Sequence, residues 1–102
     1  MQKPRITHHA RQRLQQRGSR PIDVAIIMSY GDIEVPARDG CRWVQLSQRE
    51  AARLQNEGSI NVSDIDRARR LVLLVGPDGS VVTILKRSPD RRISSRRGGT
   101  LQ

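Results

Sequence analysis

The sequence is poor in aromatic and sulfur-containing side chains, and this scarcity narrows the functions open to it. It has 102 residues and no phenylalanine, with Tyr30 and Trp43 as its only tyrosine and tryptophan. Single-strand binding on a stacking sheet needs several aromatic faces, so that mode of recognition is disfavoured. Cys41 is the only cysteine, which excludes an intrachain disulfide and a multi-cysteine metal site and favours a cytoplasmic location.

Long apolar runs are also missing from the chain. No stretch approaches the roughly 20 apolar residues that a membrane-spanning helix requires, and residues 1–17 lack the apolar centre of a signal peptide. No predicted helix combines a basic face with a broad aromatic face, so no membrane partner is expected. The length suits one domain with a modest core.

Negative charge is scarce and unevenly distributed. The chain has 19 Lys and Arg against 10 Asp and Glu, a net charge of +9, and no carboxylate precedes Asp23. This excess predicts a polyanionic partner, and nucleic acid is the commonest one. Arginine suits that role because its planar guanidinium can donate two parallel hydrogen bonds to a phosphate.

The stretch 8–18 contains both histidines and has the pattern of a short helix. Thr7 can cap its N-terminus, and Gly18 can adopt the left-handed conformation that ends the last turn. A second helix is predicted from Pro21, a residue favoured in the first helical turn, to a stop at Gly31. Apolar residues surround its axis, which predicts a buried helix. The short link between the two helices predicts a helical hairpin.

Two pairs of strands are predicted downstream. Residues 32–46 have the pattern of a β-hairpin that turns at Asp39-Gly40, with Pro36 indicating an edge strand. Residues 71–75 and 80–85 are continuous apolar runs joined by a Gly-Pro-Asp-Gly turn. Such runs predict central strands that are covered by helices on at least one face.

Additional helix signals lie between the two strand pairs. Ser47 and Glu50 have the spacing of a capping box, which predicts a helix through Asn56. A thinner apolar pattern predicts a further short helix, capped at Ser63 and running through Arg70.

The order of these elements predicts an α+β domain. An N-terminal helical hairpin would pack on a mainly antiparallel sheet of about four strands, with an extra helix between the two strand pairs. Residues 1–6 either fray or form a brief edge strand. Residues 1–87 would form the single domain, and residues 88–102, rich in Ser, Arg and Gly, would form a disordered basic tail.

His9, Arg13 and Arg17 fall in one row of the first helix, along the border of an apolar stripe formed by Ala10 and Leu14. Cleavage of RNA without a metal needs a base for the 2′-hydroxyl, cations for the phosphorane and an acid for the leaving oxygen. Histidine suits the acid or base role near neutral pH, and arginine suits the charge. The row therefore predicts a metal-independent endoribonuclease site that requires no cofactor.

Other basic residues are candidates for nucleic-acid contact alone, and no metal site is predicted. His8 and His9 are adjacent, so their side chains diverge on a helix and cannot chelate one ion together. The acidic residues are scattered and match no metal motif. The candidates for RNA contact are Arg5, His8, Arg20, Lys86 and Arg87.

Structural roles and other functions compete with this hypothesis. A basic helix face is often only solvated, and Arg13 and Arg17 could pair with Asp23 or Glu34. Trp43 could pack in the sheet instead of stacking on a base. A non-enzymatic nucleic-acid-binding module and a small protein that binds an acidic protein partner both remain open. A helix-turn-helix is disfavoured because the second helix is too apolar to enter a major groove.

The run His9-Ala10-x-x-Arg13-Leu14-x-x-Arg17-Gly18 resembles a His-Ala-x-x-Arg-Met-x-x-Arg-Gly motif. That motif is found in a family of small bacterial domains of unknown function, which is similar to the RelE and barnase-like ribonuclease toxins. The run 81–87 resembles the late strand of the same family, with Leu85 where the family often has tyrosine.

This resemblance implies a RelE/barnase-like fold and a toxin-like endoribonuclease or an inactive relative. The site it implies comprises His9, Arg13, Arg17 and Thr83. It also implies RNA, including ribosome-associated RNA, as the substrate, and an acidic antitoxin or immunity protein as a partner. The helix at 48–56 would be an insertion that could cover the site or form a partner surface.

Overall fold

The computed structural model describes residues 3–87, so the tail predicted at 88–102 lies outside the described residues. Helices and strands alternate in pairs along this part of the chain. The elements are α1 (His8–Gln16), α2 (Pro21–Tyr30), β1 (Ile33–Pro36), β2 (Arg42–Gln45), α3 (Gln48–Glu57), α4 (Val62–Arg69), β3 (Leu71–Val75) and β4 (Val81–Lys86). The predicted α+β class is confirmed, and both helices predicted between the strand pairs are present as α3 and α4.

The four strands form one antiparallel sheet in the order β1-β2-β3-β4, as predicted. The first hairpin turns through a short 3-10 segment, where Asp39 and Gly40 have φ angles of 58° and 76°. Aspartate and glycine tolerate this left-handed region better than most residues, which explains why the pair marks the turn. Pro36 ends β1 at the edge of the sheet. An edge strand has a neighbour on one side only, so the missing N–H of Pro36 does not interrupt hydrogen bonds between two interior strands.

The expectation that both later strands are central is right for β3 and wrong for β4. Within residues 3–87, the only strand pairing beyond β4 is a single parallel bridge between Ile6 and Val81. The Val81 N–H donates to the Arg5 carbonyl at 2.8 Å, and the Thr7 N–H donates to the Val81 carbonyl at 3.1 Å. The apolar character of β4 therefore reflects burial under α1 more than a second neighbouring strand.

All four helices contribute to one core on the same face of the sheet. The predicted helical hairpin is wrong in its packing, because α1 lies mainly against β4 whereas α2 lies mainly against α4. Apolar residues from both the sheet and the helices form one buried cluster. Its largest buried members are Leu14, Val24, Ile26, Ile27, Leu46, Leu54, Ile65, Leu73, Val75 and Ile84.

Two helix caps differ in detail from their predictions. The Ser47 Oγ accepts the Glu50 N–H at 3.0 Å, as in a capping box. The reciprocal bond is absent, because the Ser47 N–H and Oγ–H donate to the two carboxylate oxygens of Asp32, at 2.9 and 2.7 Å. α4 is capped by Asn61 instead of Ser63, and the Asn61 Oδ1 accepts the Ser63 N–H at 2.8 Å.

Candidate nucleic-acid interface

α1 is fixed at both ends and along one side. The Thr7 hydroxyl accepts the Ala10 N–H at 3.2 Å and donates to the Val82 carbonyl at 3.1 Å, so one side chain both caps the helix and ties it to β4. Ala10 and Leu14 are buried in the core. Gly18 has a φ of 67° and terminates the helix in the left-handed conformation, as predicted.

The exposure of the α1 side chains follows the predicted helical wheel. His9 is exposed, whereas Arg13 and Arg17, closer to the buried stripe, are half-buried. His8 is exposed on the other side of the helix, together with Arg11. The described residues before Asp23 carry no carboxylate, so nothing on this segment neutralises the row. We call His9, Arg13 and Arg17 the α1 basic row.

The two arginines of the α1 basic row have unsatisfied donors. The Nε atoms of Arg13 and Arg17 are buried and have no hydrogen-bond partner among residues 3–87. Neither guanidinium forms an ion pair within that part of the chain. A buried unsatisfied donor costs about 1–3 kcal/mol, and such groups are uncommon in native structures.

The structural pairing considered for these arginines is wrong, because the two candidate carboxylates bind other partners. Asp23, which is fully buried, lies 3.1 Å from the Arg67 Nε on α4. Glu34 lies 3.1 Å from the Arg42 Nε on the neighbouring strand. Neither carboxylate is therefore engaged with the α1 basic row.

Arg53 on α3 illustrates an arginine that is already neutralised. Its guanidinium contacts Glu50 at 2.7 Å and Glu57 at 3.2 Å. The hydrogen bond from Arg53 holds the pKa of Glu50 below its ordinary value, and the same bond raises the pKa of Arg53. The positive charge of Arg53 is thus already balanced, unlike the charges of the α1 basic row.

Thr83, which the resemblance places in the site, lies on the other face of the sheet. In the β3–β4 register Thr83 is opposite Leu74, and Ile84 is opposite Leu73. Ile84 and Leu73 belong to the core that α1 covers, and successive strand residues point to opposite faces. The structure therefore groups His9, Arg13 and Arg17 on α1 and separates Thr83 from them.

The residues predicted for RNA contact alone are spread around this region. Lys86 is exposed at the end of β4 and shares the strand face of Ile84, the side on which α1 packs. Arg5 contacts Asp78 at 3.8 Å, so part of its charge is balanced. Arg20 is exposed and caps α2 with its backbone. His8 is exposed, and Arg87 is half-buried beyond β4.

A shallow cavity of about 430 Å³ lies between the N-terminal segment and the end of α2. Lys3 and Arg5 give it a basic rim, and none of the residues predicted to be catalytic lines it.

Residues 3–87 contain neither a metal-binding cluster nor a membrane-spanning helix. No group of three or more His, Cys, Asp or Glu residues is placed to hold a metal ion. No helix in this part of the chain has the length and apolar character needed to cross a bilayer.

The fold and the α1 basic row define a small α+β protein with a cationic helix face. No family model, curated protein or solved structure matches the chain.

Proposed function

We propose that this protein binds RNA through the sugar–phosphate backbone, using the α1 basic row. The observation that carries the proposal is that Arg13 and Arg17 are half-buried, side by side, and without any acidic partner in the described chain. Half-burial restricts their conformations before binding, so less side-chain entropy is lost when a phosphate is bound. A cytoplasmic location belongs to the same proposal.

The net charge supports the same class of partner but not a particular site. Of the arginines in residues 3–87, those at 5, 42, 53 and 67 are ion-paired with carboxylates. The unpaired excess on α1 would release counterions from RNA when the two meet. Phosphate contacts carry no base information, so binding should show little sequence preference.

Replacing both arginines of the row, as Arg13→Gln with Arg17→Gln, should weaken RNA affinity by about tenfold or more. Loss of two phosphate contacts should also reduce the slope of log K against log salt by roughly 1.4, at about 0.7 per contact on a single strand. Fluorescence anisotropy of a labelled single-stranded RNA at several salt concentrations measures both quantities.

The matched control is Arg38→Gln with Arg49→Gln. Both residues are exposed and unpaired within residues 3–87, so this double variant removes the same charge from a different surface. It should lose much less affinity. Equal losses in the two double variants would show that binding follows net charge and does not use the row.

A second candidate function is the metal-independent cleavage of RNA, favoured by the position of His9. His9 is exposed one helical turn before Arg13, so an imidazole and a guanidinium could contact the same phosphodiester. His9 would act as general base or acid, and the arginines would stabilise charge on the phosphorane. A toxin of this kind would act on free or ribosome-bound RNA and would be neutralised by an acidic antitoxin.

His9→Ala should abolish cleavage in EDTA, whereas His8→Ala should retain cleavage and lose at most some RNA affinity. The two histidines are adjacent and exposed but lie on different sides of α1. Comparison of the two variants therefore distinguishes a chemical role of His9 from the general effect of removing a histidine from this helix. Mapping of the new ends, on free RNA and on messenger RNA bound to ribosomes, should find 2′,3′-cyclic phosphates. Cleavage by His9→Ala at the wild-type rate would exclude this mechanism.

A further inference from the structure

The face of the sheet opposite the helices is mostly apolar. In the strand register Val35, Trp43, Leu74 and Thr83 form one row across all four strands. Two further pairs, Ile33 with Gln45 and Val72 with Leu85, lie on the same face because side chains alternate along each strand. We call these eight residues the open face.

The open face is incompletely covered. Each of the four helices places its buried residues in the core on the other side of the sheet. Ile33, Val35, Trp43, Leu74 and Leu85 all remain partly exposed. A sheet with an apolar face is ordinarily covered by a second layer, and a contiguous apolar patch of this kind marks an interaction surface.

Gln45, like Val72, is a buried position within the open face. Its side chain is 1% exposed, and its Oε1 has no hydrogen-bond partner within residues 3–87. Native structures rarely leave a buried amide oxygen unpaired. Because this oxygen is itself enclosed, a partner would contact the partly exposed side chains around Gln45.

The charge around the open face selects the kind of partner. None of its eight positions is acidic. Arg70 lies two residues before Val72, immediately before β3, and is exposed. An apolar face with an exposed arginine at one end is complementary to a segment that combines apolar and acidic side chains.

We propose that the open face binds an acidic amphipathic helix of a partner protein. Aliphatic side chains make up most of the face, which favours a protein over RNA bases, and the net charge of +9 disfavours a second copy of the chain. Four strands spaced about 4.8 Å apart span roughly 14 Å, which a helix of about ten residues crosses. This surface is separate from the α1 basic row and does not depend on RNA binding.

The test uses the full chain and a synthetic peptide of about 18 residues, long enough to form a helix alone. The peptide has leucine at every third or fourth position and glutamate at most others; a comparison peptide has lysine in place of glutamate. Trp43 is the only tryptophan and lies at the centre of the open face, so its emission reports binding directly. The acidic peptide should shift that emission to the blue, and the lysine peptide should bind at least tenfold more weakly.

Val35→Glu on β1 should weaken acidic-peptide binding at least tenfold. Val62→Glu is the matched control, because Val62 is 53% exposed at the start of α4, on the helical side of the molecule, and should leave binding unchanged. Urea unfolding of both variants checks that they fold. The proposal is overturned by an unshifted Trp43 emission at millimolar peptide, or by equal effects of the two variants. The proposal is also overturned if the Trp43 emission shifts in the absence of peptide, either when the protein concentration is raised or when RNA is added.

Discussion

Gly31→Ala is expected to lower the free energy of unfolding by about 3 kcal/mol. An added Cβ would lie 2.5 Å from the Ile27 carbonyl oxygen and 2.9 Å from Val44 Cγ1. The Ile27 carbonyl belongs to the last turn of α2 and already accepts the Gly31 N–H at 2.7 Å, so it cannot move without breaking that bond. Urea unfolding followed by circular dichroism measures the loss.

Gly58→Ala provides the comparison for this variant. Gly58 ends α3 with a φ of 79°, and no atom lies within 4 Å of its added Cβ. Its cost is therefore only that of placing alanine in the left-handed region, about 1 kcal/mol. Unfolding of the two variants at the same urea concentration would contradict the close approach of Gly31 to Ile27 and Val44.

Asp23→Ala should cost about 3 kcal/mol for a different reason, the loss of a buried charge with several partners. The Asp23 carboxylate is fully buried, accepts the Arg20 N–H at 3.0 Å and lies 3.1 Å from the Arg67 Nε. Its removal leaves the N-terminus of α2 uncapped and detaches α2 from α4. The loss is at the lower end of the range for buried pairs, because the Arg67 side chain is 30% exposed.

Asp64→Ala is the control for this second substitution. Asp64 also contacts Arg67, but it lies on α4 itself and its side chain is 22% exposed. Removal of a more exposed carboxylate that joins no second element should cost about 1 kcal/mol or less. Equal losses for Asp23→Ala and Asp64→Ala would contradict a role for Asp23 in joining α2 to α4.

Signals carried by neighbouring residues were sufficient to predict the elements of the fold. Thr7 and Gly18 bound α1, and Pro21 begins α2, as their capping chemistry predicts. The Asp39-Gly40 turn was found for the same reason. Each of these features depends on backbone geometry within a few residues, which the local sequence determines.

Contacts between distant segments were not predictable in this way. The carboxylate of Asp23 could have paired with any nearby cation, and its partner Arg67 lies 44 residues away on a helix with a thin apolar pattern. The short link to α2 suggested a hairpin, but the packing of α1 is decided by β4. Local propensity does not contain this information.

The candidate site was predictable in part. The helical wheel correctly places His9 outside and Arg13 and Arg17 at the border of the buried stripe. It could not show that both Nε atoms lack partners, because that depends on where every carboxylate of the fold is used. The position of Thr83 required the register of β4 against β3, which the single sequence leaves open.

The attachment of α1 to β4 has a consequence for the order in which the molecule is completed. Thr7 and Val82, joined by a hydrogen bond, are 75 residues apart, and Ala10 and Leu14 pack in a core that includes Ile84. During synthesis the first helix therefore leaves the ribosome long before the strand that supports it. Until β4 has emerged, the basic helix lacks the surface on which Ala10 and Leu14 pack, so α1 can dock only after residues 81–86 have been synthesised.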